Sequence, residues 1–518
     1  MCRQNTLGTV HRSIVFPAGN SGHIASDLFH FAFLVLANPQ LGVHMAILDW
    51  ILLGVYFGLL IIIGVQTMRR VKSPDDFAVA GNRIVWPVFF GSLAAAFLGG
   101  GASLGVAGAA MRDGYVYMFA FCAFGIQTVL VGYFVAPKLK NYVGAHTLGD
   151  VMEEHYGKPA RLVTGGLSVV LCAGILGAQA LAIGTVVNAT LDVPVVPSVI
   201  IGMGVVVLYS SFGGAWAVIQ TDMLQFVFLG VLLPVALLIG LHAVGGPSAL
   251  VDAVPSDHLS FMGDYTPVQF LTLFAALLLG ETLVPPYAQR TFSTPDSRHA
   301  RKGYALAGFF SFFFFFTAAS IGLIALVLYP DIESDQALPT VVMNLMPVGV
   351  LGLVVAALLA VVMSTASSYL NSTAVVLTKD IYQPLAEAEL PAKKRLRIER
   401  ATSVIVGAGA TVFALSVPSI VDALLYSYTL WAPTVIVPLF GAVLFGVRSA
   451  PAALSAIAAG ALVTGIWQWV LGSPFGLDGL IPGVIANLIV FVVVAMATNS
   501  KYPRRRHPAV PVLQGEPA

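Results

Sequence analysis

The chain alternates between long apolar runs and short polar or charged stretches. Runs long enough to cross a bilayer fall at about 46–67, 84–110, 115–137, 160–187, 193–212, 218–241, 267–288, 304–329, 349–378, 400–417, 421–446, 449–471 and 479–497. A membrane-spanning helix takes about 20 apolar residues. The pattern therefore predicts an all-α polytopic membrane protein with thirteen transmembrane helices. Several runs contain Gly, Pro, Ser or Thr, which membrane helices tolerate where neighbours re-satisfy the freed backbone groups.

Composition agrees with the pattern. Apolar residues make up 58% of the 518 and charged residues only 10%, with a net charge of +1. A soluble domain carries about 25% charged residues, so an ordinary soluble enzyme is excluded, and the apolar content excludes disorder. The placement of the charges says more than their number. From Met45 onward, 23 of the 24 Lys and Arg residues fall in one set of alternate loops or in the C-terminal tail. Residues Arg69, Arg70, Lys72 and Arg83 open the set, and Arg290, Arg298, Arg301 and Lys302 belong to it. Arg112 alone falls on the other side, where the loops carry Asp252, Asp257, Asp264, Asp331, Glu333 and Asp335. Basic loops face the cytoplasm. The expectation is a multi-pass protein of the plasma or inner membrane, starting outside and ending in a cytoplasmic basic tail at 499–518.

Residues 1–44 fit neither the spans nor a clean signal peptide, and the first clean span begins at Met45. We read 1–44 as an extension ahead of the true start and 45–498 as a single transporter domain.

Two interrupted helices carry the functional signal. The second run reads AAAFLGGGASLG from Ala94 to Gly105, and the seventh reads GETLVPPYAQR from Gly280 to Arg290. Three adjacent glycines weaken a helix by about 1 kcal/mol each relative to Ala, and Pro285 and Pro286 cannot donate backbone hydrogen bonds. The breaks lie in the first helix of two successive five-helix blocks, 83–241 and 267–445. Five being odd, the second block enters inverted, and matched broken helices in two such halves point to a transporter binding site. Broken helices expose carbonyls to a cation and N–H dipoles to an anion.

The ninth run adds hydroxyls. Ser364, Thr365 and Ser368 share a helix face, with Ser367 at its edge. Hydroxyls and freed carbonyls suit a hard cation such as Na+, although Ser and Thr also bond their own helix backbone. Two acids stand apart from the loops: Asp222 at the start of the sixth span and Glu281 beside the second break. A charge at mid-bilayer costs about 2.5–3.5 kcal/mol on insertion scales, so Glu281 requires a partner, a proton or a water-filled cavity. No HExxH or Walker A motif occurs.

Together these residues resemble the sodium:solute symporter family. The resemblance rests on Phe77-Ala-Val-Ala-Gly-Asn-Arg83, the Gly-rich break, Thr147-Leu-Gly-Asp150, Gly213-Gly-Ala-Trp-Ala-Val218 with Thr221, Asp222 and Gln225, Gln289-Arg290, and the block ending Lys379-Asp-Ile-Tyr382. It implies a leucine-transporter-type 5+5 inverted repeat with one extra helix before it and two after. It also implies Na+-coupled uptake of a small organic solute by alternating access. By the same resemblance, one Na+ would be held by the carbonyls of Ala96, Gly99 and Val361 and the hydroxyls of Ser364 and Thr365. A second would use Asp222, Ser367 and Ser368, with Leu98 standing where the sialic acid carriers place a Tyr. The glycine-rich break is most similar to the choline-carrying branch, whose cation-binding tryptophans correspond here to Phe97 and Val284. Phe97, Glu281 and Tyr287 are the expected pocket walls. The expected partners are a small-molecule solute and the lipid bilayer. Neither nucleic acid, an organic cofactor nor an obligatory protein partner is indicated. Alternatives are a proton-coupled carrier using Glu281 or Asp222, a transporter-like sensor, and a membrane enzyme. Mass spectrometry of the native protein should find no peptides from residues 1–44; their detection would overturn the start at Met45.

Overall fold

The computed structural model describes residues 45–498 apart from 69–70, 72–73, 387–390 and 418. The extension 1–44, Arg69, Arg70, Lys72 and the basic tail 499–518 lie outside the described residues.

Each predicted run is helical. Ile47–Met68 forms α1, and the second run splits into α2 (Trp86–Phe97) and α3 (Gly101–Asp113), bent by 63°. Then come α4 (Val116–Leu139), α5 (Lys158–Leu191), α6 (195–213) and α7 (Gly214–Val244). The seventh run splits into α8 (Pro267–Leu279) and α9 (Pro285–Ser293). The remainder are α10 (Ser297–Leu328), α11 (Val350–Ala386), α12 (Ala392–Ala414), α13 (Ile420–Phe445), α14 (Ala450–Val470) and α15 (Leu480–Thr498).

Among the described residues, nine unbroken helices and the bent pair α2–α3 are long and apolar enough to cross a membrane. The other three predicted spans fall short for visible reasons. The described apolar stretch of α6 is Val195–Val207, α8 ends at the second break, and α12 begins with charged residues such as Lys394, Arg397 and Arg400. No loop separates α6 from α7. The chain bends at Gly214 (φ 56°, ψ −162°), a conformation suited to glycine, and an added Cβ there would sit 2.5 Å from the Phe77 ring.

Burial sorts the helices. In the most apolar stretch of α11, 89% of residues are buried, against 22% in α1 and 28% in α15. α11 is therefore the central post of the bundle, and α1 and α15 present apolar flanks outward. The start of α11 is held from outside itself: the buried Asp49 of α1 accepts the N–H groups of Gly349 (2.7 Å) and Gly352 (2.8 Å). A carboxylate there satisfies donors that the first helical turn leaves unpaired and meets the positive end of the dipole.

The far end of α11 is fixed by charge. Thr147 and Asp150 form a reciprocal capping box on the helix Leu148–Tyr156. Arg161 of α5 binds Asp150 (3.0 Å), Glu153 and Asp380 (3.0 Å) and donates to the Lys379 carbonyl (2.9 Å). Lys379 closes the ring on Asp150 (2.7 Å), and the Thr147 hydroxyl donates to Asp380 (2.8 Å). Burial by itself would raise the Asp150 carboxyl, but Lys379 and Arg161 beside it hold it below its usual value. Gly149 has no room for a side chain, because a Cβ would lie 2.4 Å from the Asp380 carboxyl carbon. The Thr147-Leu-Gly-Asp150 motif thus docks one short helix onto the end of the central post. Arg161→Met leaves Asp380 buried without its cation and should cost about 3–5 kcal/mol, read as a lower unfolding temperature in detergent. An unchanged transition would remove this network from the account of stability.

Candidate ion and solute site

Both breaks open where they pass the middle of α11. In the second run, α2 ends at Phe97 and Leu98 leaves helical geometry (ψ 41°). The three glycines that follow are sites of close approach. A Cβ on Gly99 would lie 2.5 Å from the Thr365 hydroxyl, one on Gly100 2.3 Å from Ala182, and one on Gly101 2.0 Å from Leu424. The glycine run therefore lets α5, α11 and α13 pack onto bare backbone. In the seventh run, residues 281–284 lie outside the helices and Leu283 has φ 51°. Pro285 and Pro286 start α9 in its first turn, where a missing N–H costs nothing. Trp431 of α13 donates to the freed Thr282 carbonyl (3.0 Å).

At the first break, α11 presents its hydroxyls. Ser364 donates to the carbonyls of Ala95 (2.7 Å) and Val361 (2.9 Å), and Thr365 reaches the same two at 3.3 Å each. The carbonyl of α2 that these hydroxyls engage is that of Ala95, one residue before Ala96. The Gly99 carbonyl accepts from the N–H (3.0 Å) and hydroxyl (2.8 Å) of Ser103. Two hydroxyls and nearby carbonyls, all buried and uncharged, form a set that a hard cation favours. A cation among them would turn the hydroxyl lone pairs inward in place of the protons now given to the carbonyls.

The second group has a different centre from the one read off the sequence. Arg290, counted there among loop cations, is only 5% exposed and lies in α9. Its Nη2 binds Asp222 (2.8 Å) and donates to Ser368 (2.5 Å), and its Nε donates to Ser92 (3.0 Å). Ser92 donates to the same carboxylate oxygen of Asp222 (2.6 Å), while Asp222 Oδ1 has no hydrogen-bond partner among the described residues. Ser367 is turned to its own helix, donating to the Ser364 carbonyl (3.0 Å). Asp222 and Ser368 thus meet through Arg290, which ties α2, α7, α9 and α11 together. The sequence held one sign of this: Arg290 stands only four residues after Pro286, in the stretch Gly280–Arg290 that carries the break.

Beside the second break lies the third group. Glu281 is buried, and its two carboxylate oxygens accept from Tyr369 (2.7 Å) and Tyr287 (3.1 Å). The Tyr428 phenol interacts with the same carboxylate, and its ring lies against Gly280, where a Cβ would be 2.4 Å away. The Phe97 ring meets Tyr287 edge-on with centroids 6.1 Å apart. A small cavity of about 20 Å³ is bounded by Phe97, Gln179, Glu281, Thr365, Leu424 and Tyr428. The structure therefore gathers Phe97, Glu281 and Tyr287 and sets Thr365 of the ion group on the same cavity. Sequence reading missed Tyr369 and Tyr428, whose approach depends on how α11 and α13 pack, and Gln179, which accepts the Gly100 N–H (2.7 Å).

Comparisons with known proteins point one way. The family model described as the sodium:solute symporter family matches residues 77–462. A sodium/glucose cotransporter of Vibrio parahaemolyticus is 25% identical over 402 residues, covering 70% of this chain and 73% of the relative. The high affinity choline transporter 1 of Homo sapiens is 27% identical over 390 residues, covering 70% of this chain and 66% of the relative. A solved Na+-coupled sialic acid symporter superimposes with a TM-score of 0.75 at 17% identity, covering 90% of this chain and all of that one (100%). The structurally similar proteins are transporters of the leucine-transporter-type fold. Arg290→Met should destabilise the protein by about 3–5 kcal/mol, because it strands a buried carboxylate. Adding Asp222→Asn should restore much of the loss, as a double-mutant cycle on the unfolding temperature would show. Additive losses would mean that the two groups do not act as a pair.

Proposed function

The chain belongs to the sodium:solute symporter family, and from that premise we propose that it couples Na+ entry to uptake of a small organic solute. One observation carries the reading. Thr365 gives its hydroxyl to the uncharged oxygen group at the first break and also lines the cavity that Glu281 lines at the second. Ion and solute at these places would share one wall, so binding of either orders the other's site.

In this mechanism Na+ binds among the Ser364 and Thr365 hydroxyls and the carbonyls of Val361 and of α2 at its break, where Ala96 and Gly99 are the ligands implied by the family. The ion bridges α11 to α2 and favours the state open to the solute. Solute binding between the breaks then permits closure and rocking of one part of the bundle against the other. We place the protein in the plasma or inner membrane with thirteen spans, its start outside and its C-terminal tail in the cytoplasm. The inverted repeats are 83–241 and 267–445. Charge movement then supplies work: each elementary charge moved through 100 mV gains about 2.3 kcal/mol.

At the second group, the guanidinium of Arg290 takes the charge position that a second Na+ would need beside Asp222. We propose one Na+ per cycle, with hyperbolic activation of uptake by Na+. The unpartnered Asp222 Oδ1 favours the rival two-ion reading, with Ser367 and Ser368 as further ligands, and sigmoidal activation would report it. Thr365→Ala should raise the Na+ concentration for half-maximal uptake in proteoliposomes about tenfold, the effect of roughly 1.4 kcal/mol. Unchanged Na+ activation would refute the role of that hydroxyl. Uptake that persists when K+ replaces Na+ at fixed pH would favour a proton-coupled carrier.

A further inference from the structure

Two buried acids stand near the breaks, and they are served differently. Asp222 has a built-in cation, Arg290, at 2.8 Å. Glu281 has none: among the described residues its recorded partners are the phenols of Tyr369, Tyr287 and Tyr428. Phenols supply hydrogen bonds but no positive charge. Both carboxylate oxygens accept, so the group is arranged as an acceptor, and a buried carboxylate without a countercharge is costly.

Its surroundings fit one kind of guest. The cavity that Glu281 lines is walled by the rings of Phe97, Phe121, Phe124, Phe315 and Tyr428. Phe97 and Phe124 lie 5.0 Å apart and Phe121 and Phe315 5.3 Å apart, centroid to centroid. Aromatic walls around a carboxylate attract a cation by charge and by the ring quadrupole together. The Gln179 carboxamide lines the same space with its oxygen already spent on Gly100. The space is about 20 Å³, enough for one water-sized group. A primary ammonium head is close to that size and offers three N–H donors to the carboxylate.

We infer that the solute is a protonated amine whose –NH3+ head pairs with Glu281 inside this aromatic cavity, an inference that rests on the symport reading above. The neutral oxygens around Ser364 and Thr365 keep the Na+, and the cargo brings the charge that Glu281 lacks. Loaded, Glu281 gains the ion pair that Asp222 has permanently.

The test uses the full-length protein in proteoliposomes and in a detergent thermal-shift assay. The probes are ethanolamine, alanine and 4-aminobutyrate, their N-acetyl derivatives, choline, and glucose. At least one primary amine should enter in a Na+-dependent way, and N-acetylation should weaken it at least about tenfold. Glu281→Gln should lower affinity for that amine by about 10–100-fold, the weight of a lost charged hydrogen bond, while Na+ alone still shifts the melting of the variant. Should the variant fail to fold, the N-acetyl comparison on the wild-type protein decides. The inference is overturned by a preference for choline or glucose, by a panel in which no amine moves with Na+, or by loss of the Na+-only shift in Glu281→Gln. In the first case Na+-dependent uptake survives and the symport reading stands. Uptake driven by a proton gradient regardless of Na+ would instead defeat the symport reading itself.

Discussion

Backbone groups released at a helix break inside an apolar bundle have no water to turn to, and each must find a partner in the protein or in a bound guest. Much of this architecture answers that demand. Trp431 takes the Thr282 carbonyl at the second break, Gln179 takes the Gly100 N–H at the first, and Ser103 takes the Gly99 carbonyl. Ser364 and Thr365 take the Ala95 carbonyl from across the helix boundary. Such partners are replaceable ones: hydroxyl protons now serve carbonyls that a cation could serve as well. The breaks are thus stable without a guest and receptive to one.

Charge follows the same rule more severely. The described interior holds few ionisable groups, and their partnerships divide by role. The Arg161 network and the Arg290–Asp222 pair are closed within the protein, and both fasten helices to α11. Among the described residues Glu281 is met by phenols, beside a cavity that reaches both breaks. Structural charges come with their counter-ions, and the charge facing the cavity does not.

The position of α11 joins these themes. Its start is held by Asp49 and its end by Arg161, so its hydroxyl face is fixed in height and rotation between the two broken spans. The adjacent hydroxyls of Ser364 and Thr365 meet the Ala95 carbonyl because the helix carrying them is held at both ends. The glycines of the first break complete the arrangement by letting α5, α11 and α13 close onto bare backbone.

Periodicity made the helices and the two breaks legible from the residues alone, because bilayer thickness and backbone satisfaction leave few other solutions. The hydroxyls of α11 and the acids Asp222 and Glu281 stood out for the same reason: polar groups are rare in such runs. The partners could not be read off. Arg290 looked like a loop cation until α9 carried it inward to Asp222, and Tyr369 and Tyr428 looked like ordinary aromatics until two distant helices brought them to Glu281. Which carbonyl meets Ser364, and which acid keeps its own cation, depend on the rotation and height of packed helices. Those are set by contacts between residues far apart in the chain, so only the tertiary structure decided them.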